Sequence, residues 1–98
     1  MQYTIEWDPQ KARDNEAKHG VSFEQAAGVL LDPLAMTIYD DIYSAAGDDR
    51  WITIGQVGDD LLVVVHTFRD VGGAEADVRI ISARYATKRE REQYQEGT

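Results

Sequence analysis

Residues 61–65, LLVVV, restrict the fold more than any other segment, because five consecutive apolar residues place hydrophobic side chains on both faces of an extended strand. Such a strand needs cover on each side, which predicts an interior position in a sheet. The flanking sequence supplies neighbours. Residues 36–43, 50–57, 61–69 and 78–84 read as strands, separated by Ala46-Gly47-Asp48, Gly58-Asp59-Asp60 and Gly72-Gly73-Ala74. Turns this short predict an antiparallel meander. The same apolar run is too short to cross a bilayer, so a membrane span is not expected.

The first third follows a different period. Residues 2–6 alternate as a short strand, and Asp8-Pro9 then supplies an N-cap and a first-turn proline for a mostly polar helix closing at Gly20. Ser22 with Gln25 forms a capping box, and Phe23, Ala26, Ala27, Leu30 and Leu31 make an apolar stripe ending at Asp32-Pro33. Thr87 with Glu90 opens a last helix whose one sizeable apolar residue is Tyr94. The predicted order is β-α-α-β-β-β-β-α: an α+β fold in one domain over residues 1–98, with two N-terminal helices on a curved antiparallel sheet of four to five strands and a C-terminal helix.

The net charge of −8 is unevenly spread: residues 1–49 carry ten acids and three bases, the remainder eight acids and seven bases. Anion binding is therefore expected only in the second half, where six of the seven bases are arginines suited to bidentate phosphate contacts. The absence of cysteine excludes disulfides and thiolate metal sites, and the N-terminus shows no secretory pattern, so a cytoplasmic protein is expected. No phosphate-binding glycine loop follows a strand, His19 and His66 have no metal-ligand spacing, and Ser82 has no nucleophile-elbow motif around it. No metal and no cofactor are expected. A cleft with arginines and a histidine suits phosphate-ester cleavage by an adjacent 2′-hydroxyl, with arginine stabilising the phosphorane and histidine moving a proton. On a regular ladder, however, His66 and Arg69 differ in parity, as do Arg79 and Arg84, so one face holds all four only if a bulge intervenes. Trp7 and Trp51, beside apolar neighbours, read as core residues rather than base-stacking platforms.

The segments WDPQKARDNEAKHGVSFEQAAGVLLDP, RWITIG, LLVVVHTFR and VRIISARYATKREREQYQEG, in this order and spacing, resemble the BrnT family of type II toxin–antitoxin toxins. The resemblance implies a RelE-like ribonuclease fold and an endoribonuclease that halts translation. It also implies neutralisation by a BrnA-like antitoxin with a ribbon-helix-helix part, a heterotetramer with that antitoxin, and DNA contact only through the complex. The alternative is a non-catalytic corepressor that acts with the antitoxin. Carried over by position, the implied catalytic residues are Arg69 and Arg84, with His19 or His66 for proton transfer, and the implied RNA-binding residues are Lys18, Arg50, Arg79, Lys88 and Arg89. Tyr85 stands where the family pattern carries a base.

Overall fold

The computed structural model describes residues 2–42, 44 and 49–96. Its strands are β1 (Gln2–Glu6), β2 (Met36–Tyr39), β3 (Arg50–Val57), β4 (Asp60–Thr67), β5 (Arg69–Gly72) and β6 (Glu75–Tyr85), and its helices α1 (Pro9–His19), α2 (Phe23–Gly28) and α3 (Lys88–Glu96). A single 3-10 turn, Val29–Leu31, follows α2. One sheet runs β1-β6-β4-β3-β2, with β5 also paired to β6. The α+β class and the interior position of β4 agree with the sequence reading.

The sheet has six strands rather than four to five, and it is mixed rather than antiparallel. β1 lies parallel to β6, from Gln2 opposite Glu75 to Glu6 opposite Arg79. The predicted strand 61–69 divides at Phe68, because β6 is longer than β4 can pair: β4 covers residues 80–85 and β5 takes over opposite residues 75–77. The predicted strand 36–43 ends at Tyr39; Tyr43 and the turn at 46–48 lie outside the described residues.

Local chemistry sets the helices as the sequence suggests. The Asp8 side chain accepts from the Gln10 and Lys11 amides, and Gly20 closes α1 at a φ of 72°, a left-handed cap that glycine adopts without steric cost. Both hydrogen bonds of the Ser22–Gln25 capping box form. α1 and α2 cover one face of the sheet, where Val21, Phe23, Ala26 and Val29 pack on Leu62, Val64, Ile80 and Ala83, with Trp7 set edge-on to Phe23 at 6.0 Å. Burying each of the larger side chains contributes about 1.5–3 kcal/mol. The 3-10 turn approaches β3 so closely that a Cβ on Gly55 would lie 2.7 Å from Val29 Cγ1.

α1 is mostly exposed, with Ala12 packed against the core, yet it buries Asn15. The Asn15 amide nitrogen donates to the carbonyls of Val21 and Ala83 at 3.0 and 2.9 Å, and its oxygen accepts from the Ala83 N–H at 3.0 Å. β1 pairs β6 only as far as Arg79, so Asn15 satisfies β6 backbone groups that no strand reaches. On the opposite face, here called the open face, α3 lies toward one end of the sheet. It buries Tyr94, whose hydroxyl donates to Asp32 at 2.6 Å. Asp32 also accepts from the amides of Gln56 and Leu34. Burial pushes the Asp32 carboxyl up, and the Tyr94 hydroxyl and these two amides more than offset it, leaving it below its ordinary value.

Candidate functional site

The β4–β6 register shifts between Val65 and His66, which face Ser82 and Ile80, so Ile81 is an extra residue on β6. This bulge resolves the parity conflict. Cross-strand partners point to the same side, so Arg84 opposite Val63, Arg79 beside Asp77, Arg69 opposite Asp77 and Arg50 opposite Thr67 all project from the open face. His66, opposite Trp51 and Ile80, projects to the helix side.

Arg69 and Arg84 do not meet. Seven residues of β6 separate their cross-strand positions, about 23 Å at roughly 3.3 Å per residue. At the β4–β5 corner, Arg69 and Arg79 line a hollow of about 330 Å³ with Thr67, Phe68 and three acids, Glu6, Asp49 and Asp77. Arg69 pairs there with Asp77 at 3.0 Å, and the Thr67 hydroxyl accepts from the Arg79 backbone N–H at 3.0 Å. At the other end, Arg84 makes a bidentate pair with Glu90, 2.7 and 2.9 Å, beside Lys88 and Arg89, which are exposed in the first turn of α3. The pair raises the Arg84 pKa, and Arg84 together with the Thr87 amide and hydroxyl lowers Glu90 to about 2 against the effect of burial. The corner thus sets three acids against two bases in one hollow, and at the junction Arg84 holds the single carboxylate of Glu90 in the first turn of α3, where Lys88 and Arg89 are exposed.

The two histidines differ in access. His66 is 2% exposed, and both ring nitrogens are engaged: Nδ1 with the Thr67 carbonyl at 2.9 Å and Nε2 with the Thr53 hydroxyl at 2.7 Å. Burial lowers its pKa and favours the neutral ring, outweighing the Thr67 carbonyl, which acts to raise it. A carbonyl only accepts, so the partners assign the proton to Nδ1 and make Nε2 an acceptor for Thr53, which accepts in turn from Thr37 at 2.9 Å. This chain of hydroxyls floors a hollow of about 230 Å³ walled by Tyr3, Trp51 and Phe68. Trp51 is half-buried and edge-on to Tyr39 at 5.0 Å, so it forms a cavity wall rather than part of the core beneath the helices. His19, half-buried at the end of α1, lies one turn beyond Asn15 on the helix face turned toward β6, with Lys18 exposed beside it.

Residues 7–90 match the family model described as "Ribonuclease toxin, BrnT, of type II toxin-antitoxin system". The chain belongs to the BrnT family. The match indicates a type II toxin–antitoxin ribonuclease toxin, and it spans both ends of the arginine-bearing open face. Comparison with curated proteins finds no match. Two carboxylates that hold arginines of the candidate site escaped the sequence reading as partners of arginines, Glu90 and Asp77. Glu90 was visible as the third residue of the Thr87 capping box, and its hydrogen bond from the Thr87 amide is present, but a cap carries no signal that the same carboxylate also grips Arg84. No helix among the described residues is long and apolar enough to cross a membrane.

Proposed function

We propose that this chain is a metal-independent endoribonuclease toxin of the cytoplasm, with single-stranded RNA lying along the open face and the reacting phosphate at the β6–α3 junction. One observation carries the assignment of the junction: Arg84 holds Glu90 in a bidentate pair, the arrangement in which its fork can take a phosphate instead. The exposed bases Lys88 and Arg89 are nearby in the first turn of α3, whereas the hollow around Arg69 is lined by three acids and two bases. When a phosphate displaces Glu90, the Arg84 fork binds its two non-bridging oxygens. The neighbouring 2′-oxygen then forms a bond to phosphorus and loses its proton to a base, while the bond to the 5′-oxygen breaks and that oxygen takes up a proton. The products are a 2′,3′-cyclic phosphate and a 5′-hydroxyl. Arg84 stabilises the charge that builds on the phosphorane. His66 is sealed and doubly hydrogen-bonded, so of the two histidines His19 is the one for proton transfer, reaching the junction around the β6 edge that Asn15 of α1 caps at Ala83, next to Arg84. Arg50, Arg69 and Arg79 hold flanking phosphates, and Lys18 contacts RNA beside His19.

The partner in this reading is a BrnA-like ribbon-helix-helix antitoxin, in a heterotetramer that reaches DNA only through that partner. A second reading has its own support: both Arg69 and Arg84 are already ion-paired, as in a corepressor that binds the antitoxin without cutting RNA. The deciding experiment incubates the antitoxin-free chain with bulk cellular RNA in EDTA at low salt, beside Arg84→Ala, Arg69→Ala and His19→Ala. The nuclease reading expects cleavage that Arg84→Ala abolishes and Arg69→Ala weakens. A folded chain that cuts neither free RNA nor RNA on translating ribosomes leaves the corepressor.

A further inference from the structure

β2 ends the sheet, and the chain around it is unusual in two ways that point the same way. Of the seven large hydrophobic residues exposed among the described residues, five fall between residues 31 and 42: Leu31, Leu34, Ile38, Tyr39 and Ile42. Clusters of this kind on a small domain mark contact surfaces. No lysine or arginine occurs from residue 19 to residue 49, a stretch that holds six acids.

The backbone is prepared as well. The Asp40 N–H donates to the Arg50 carbonyl at 2.9 Å, and hydrogen-bonded pairs alternate along an antiparallel ladder. Asp40, Ile38 and Met36 therefore bond inward to β3, and the N–H and C=O groups of Thr37 and Tyr39 point to the outer edge, which no strand among the described residues pairs. On the open face beside this edge, Met36, Ile38, Ile52 and Ile54 line a hollow of about 370 Å³ with Gln93 and Glu96 of α3. Asp41 and Asp49 are exposed near the end of β2, and Asp49 accepts from the Tyr39 hydroxyl at 2.9 Å. Arg50, next to Asp40 in the ladder, is the one strand base at this end of the edge.

We propose that the β2 edge docks an extended segment of a partner protein that alternates apolar and basic residues and adds as a further strand. Its backbone pairs with Thr37 and Tyr39, its apolar side chains enter the hollow beside Ile38, and its bases meet Asp41, Asp49 and Glu96. A second copy of this chain is the poorer occupant, because pairing two such edges sets acid against acid. The inference rests on the toxin–antitoxin reading only in naming the antitoxin as the protein that carries the segment.

The test titrates the isotope-labelled full chain with a capped seven-residue peptide alternating lysine and valine, and separately with its glutamate–valine counterpart. The lysine peptide is expected to shift the Thr37 and Tyr39 amide resonances saturably and to slow their hydrogen exchange, while the glutamate peptide does neither. Ile38→Lys, at an exposed position, is expected to weaken binding about tenfold with an unchanged circular dichroism spectrum. Equal response to both peptides, a response confined to other residues, or self-association through this edge without peptide overturns the proposal. Peptide binding is read without RNA or antitoxin, so a chain that binds the peptide but cuts no RNA refutes the nuclease reading and leaves the docking edge standing.

Discussion

Replacing Asn15 by Asp changes one nitrogen to oxygen and little else in shape, which makes it a clean test of how α1 is attached to the sheet. The Asn15 amide nitrogen donates to two carbonyls, and its side chain is nearly sealed from water. In the variant, the Val21 and Ala83 carbonyls lose their donor and face a carboxylate oxygen instead. Each buried acceptor left without a partner costs about 1–3 kcal/mol, so the pair costs about 2–6 kcal/mol before charge repulsion. A domain of this size has roughly 5–15 kcal/mol in total. Urea unfolding followed by tryptophan fluorescence at pH 7 is expected to show a loss of about 4 kcal/mol. The sign with pH is also fixed. Burial against carbonyl oxygens raises the folded-state pKa of the new carboxyl, so the folded variant favours its proton and its deficit shrinks as pH falls. The protonated form regains one donor. Asn15→Leu, without a titrating group, is expected to show a deficit that does not change with pH. A deficit below about 1 kcal/mol for Asn15→Asp at pH 7, or one that does not shrink at pH 5, would refute the claim that this amide bridges α1 to β6.

Further outcomes follow from the same structure. Glu90 titrates near 2 when folded and near its ordinary value when unfolded, so its contribution is complete above about pH 4.5 and declines toward pH 2. The shift corresponds to a ceiling of about 3 kcal/mol, and with Arg84 partly exposed the screened value is about 1 kcal/mol. Glu90→Gln should therefore cost about that much in urea unfolding at pH 7 and nothing at pH 2, while freeing Arg84 and tightening binding to a short RNA in filter-binding assays. Gly55→Ala forces Val29 and its 3-10 turn off β3 and should cost about 1–3 kcal/mol in thermal unfolding. His66 is held neutral, so its lowered folded pKa subtracts stability as pH drops through about 6.5; that acid sensitivity should be reduced in His66→Gln, measured as Tm from pH 7 to pH 5.

Elements carried by local chemistry were legible from the residues: the Asp8 and Ser22 caps, the Gly20 terminator and the doubly apolar β4 each follow from a few neighbouring side chains. What depended on distant pairing was not. β1 joins β6 in parallel across most of the chain, and nothing in QYTIE distinguishes a parallel from an antiparallel partner. Asn15, a polar residue on a polar helix, shows no sign in sequence that it serves the β6 backbone. The arginines show the same division within the site. Their residue type and place on the last strands were readable, and the need for a bulge was deducible from parity. Its position at Ile81, and the carboxylates that hold Arg69 and Arg84, required the tertiary register.

The hydroxyl chain from Thr37 through Thr53 to His66 has one further property. With Nδ1 fixed as a donor by the Thr67 carbonyl, every hydrogen along the chain points inward while the ring is neutral, and Thr37 offers only lone pairs to the hollow. A proton added at Nε2 reverses both hydroxyls in turn, and the Thr37 hydrogen swings outward. The hollow thus changes from accepting to donating without any heavy atom moving, and the charge on a ring sealed from solvent is transmitted to the cavity wall as a change of polarity.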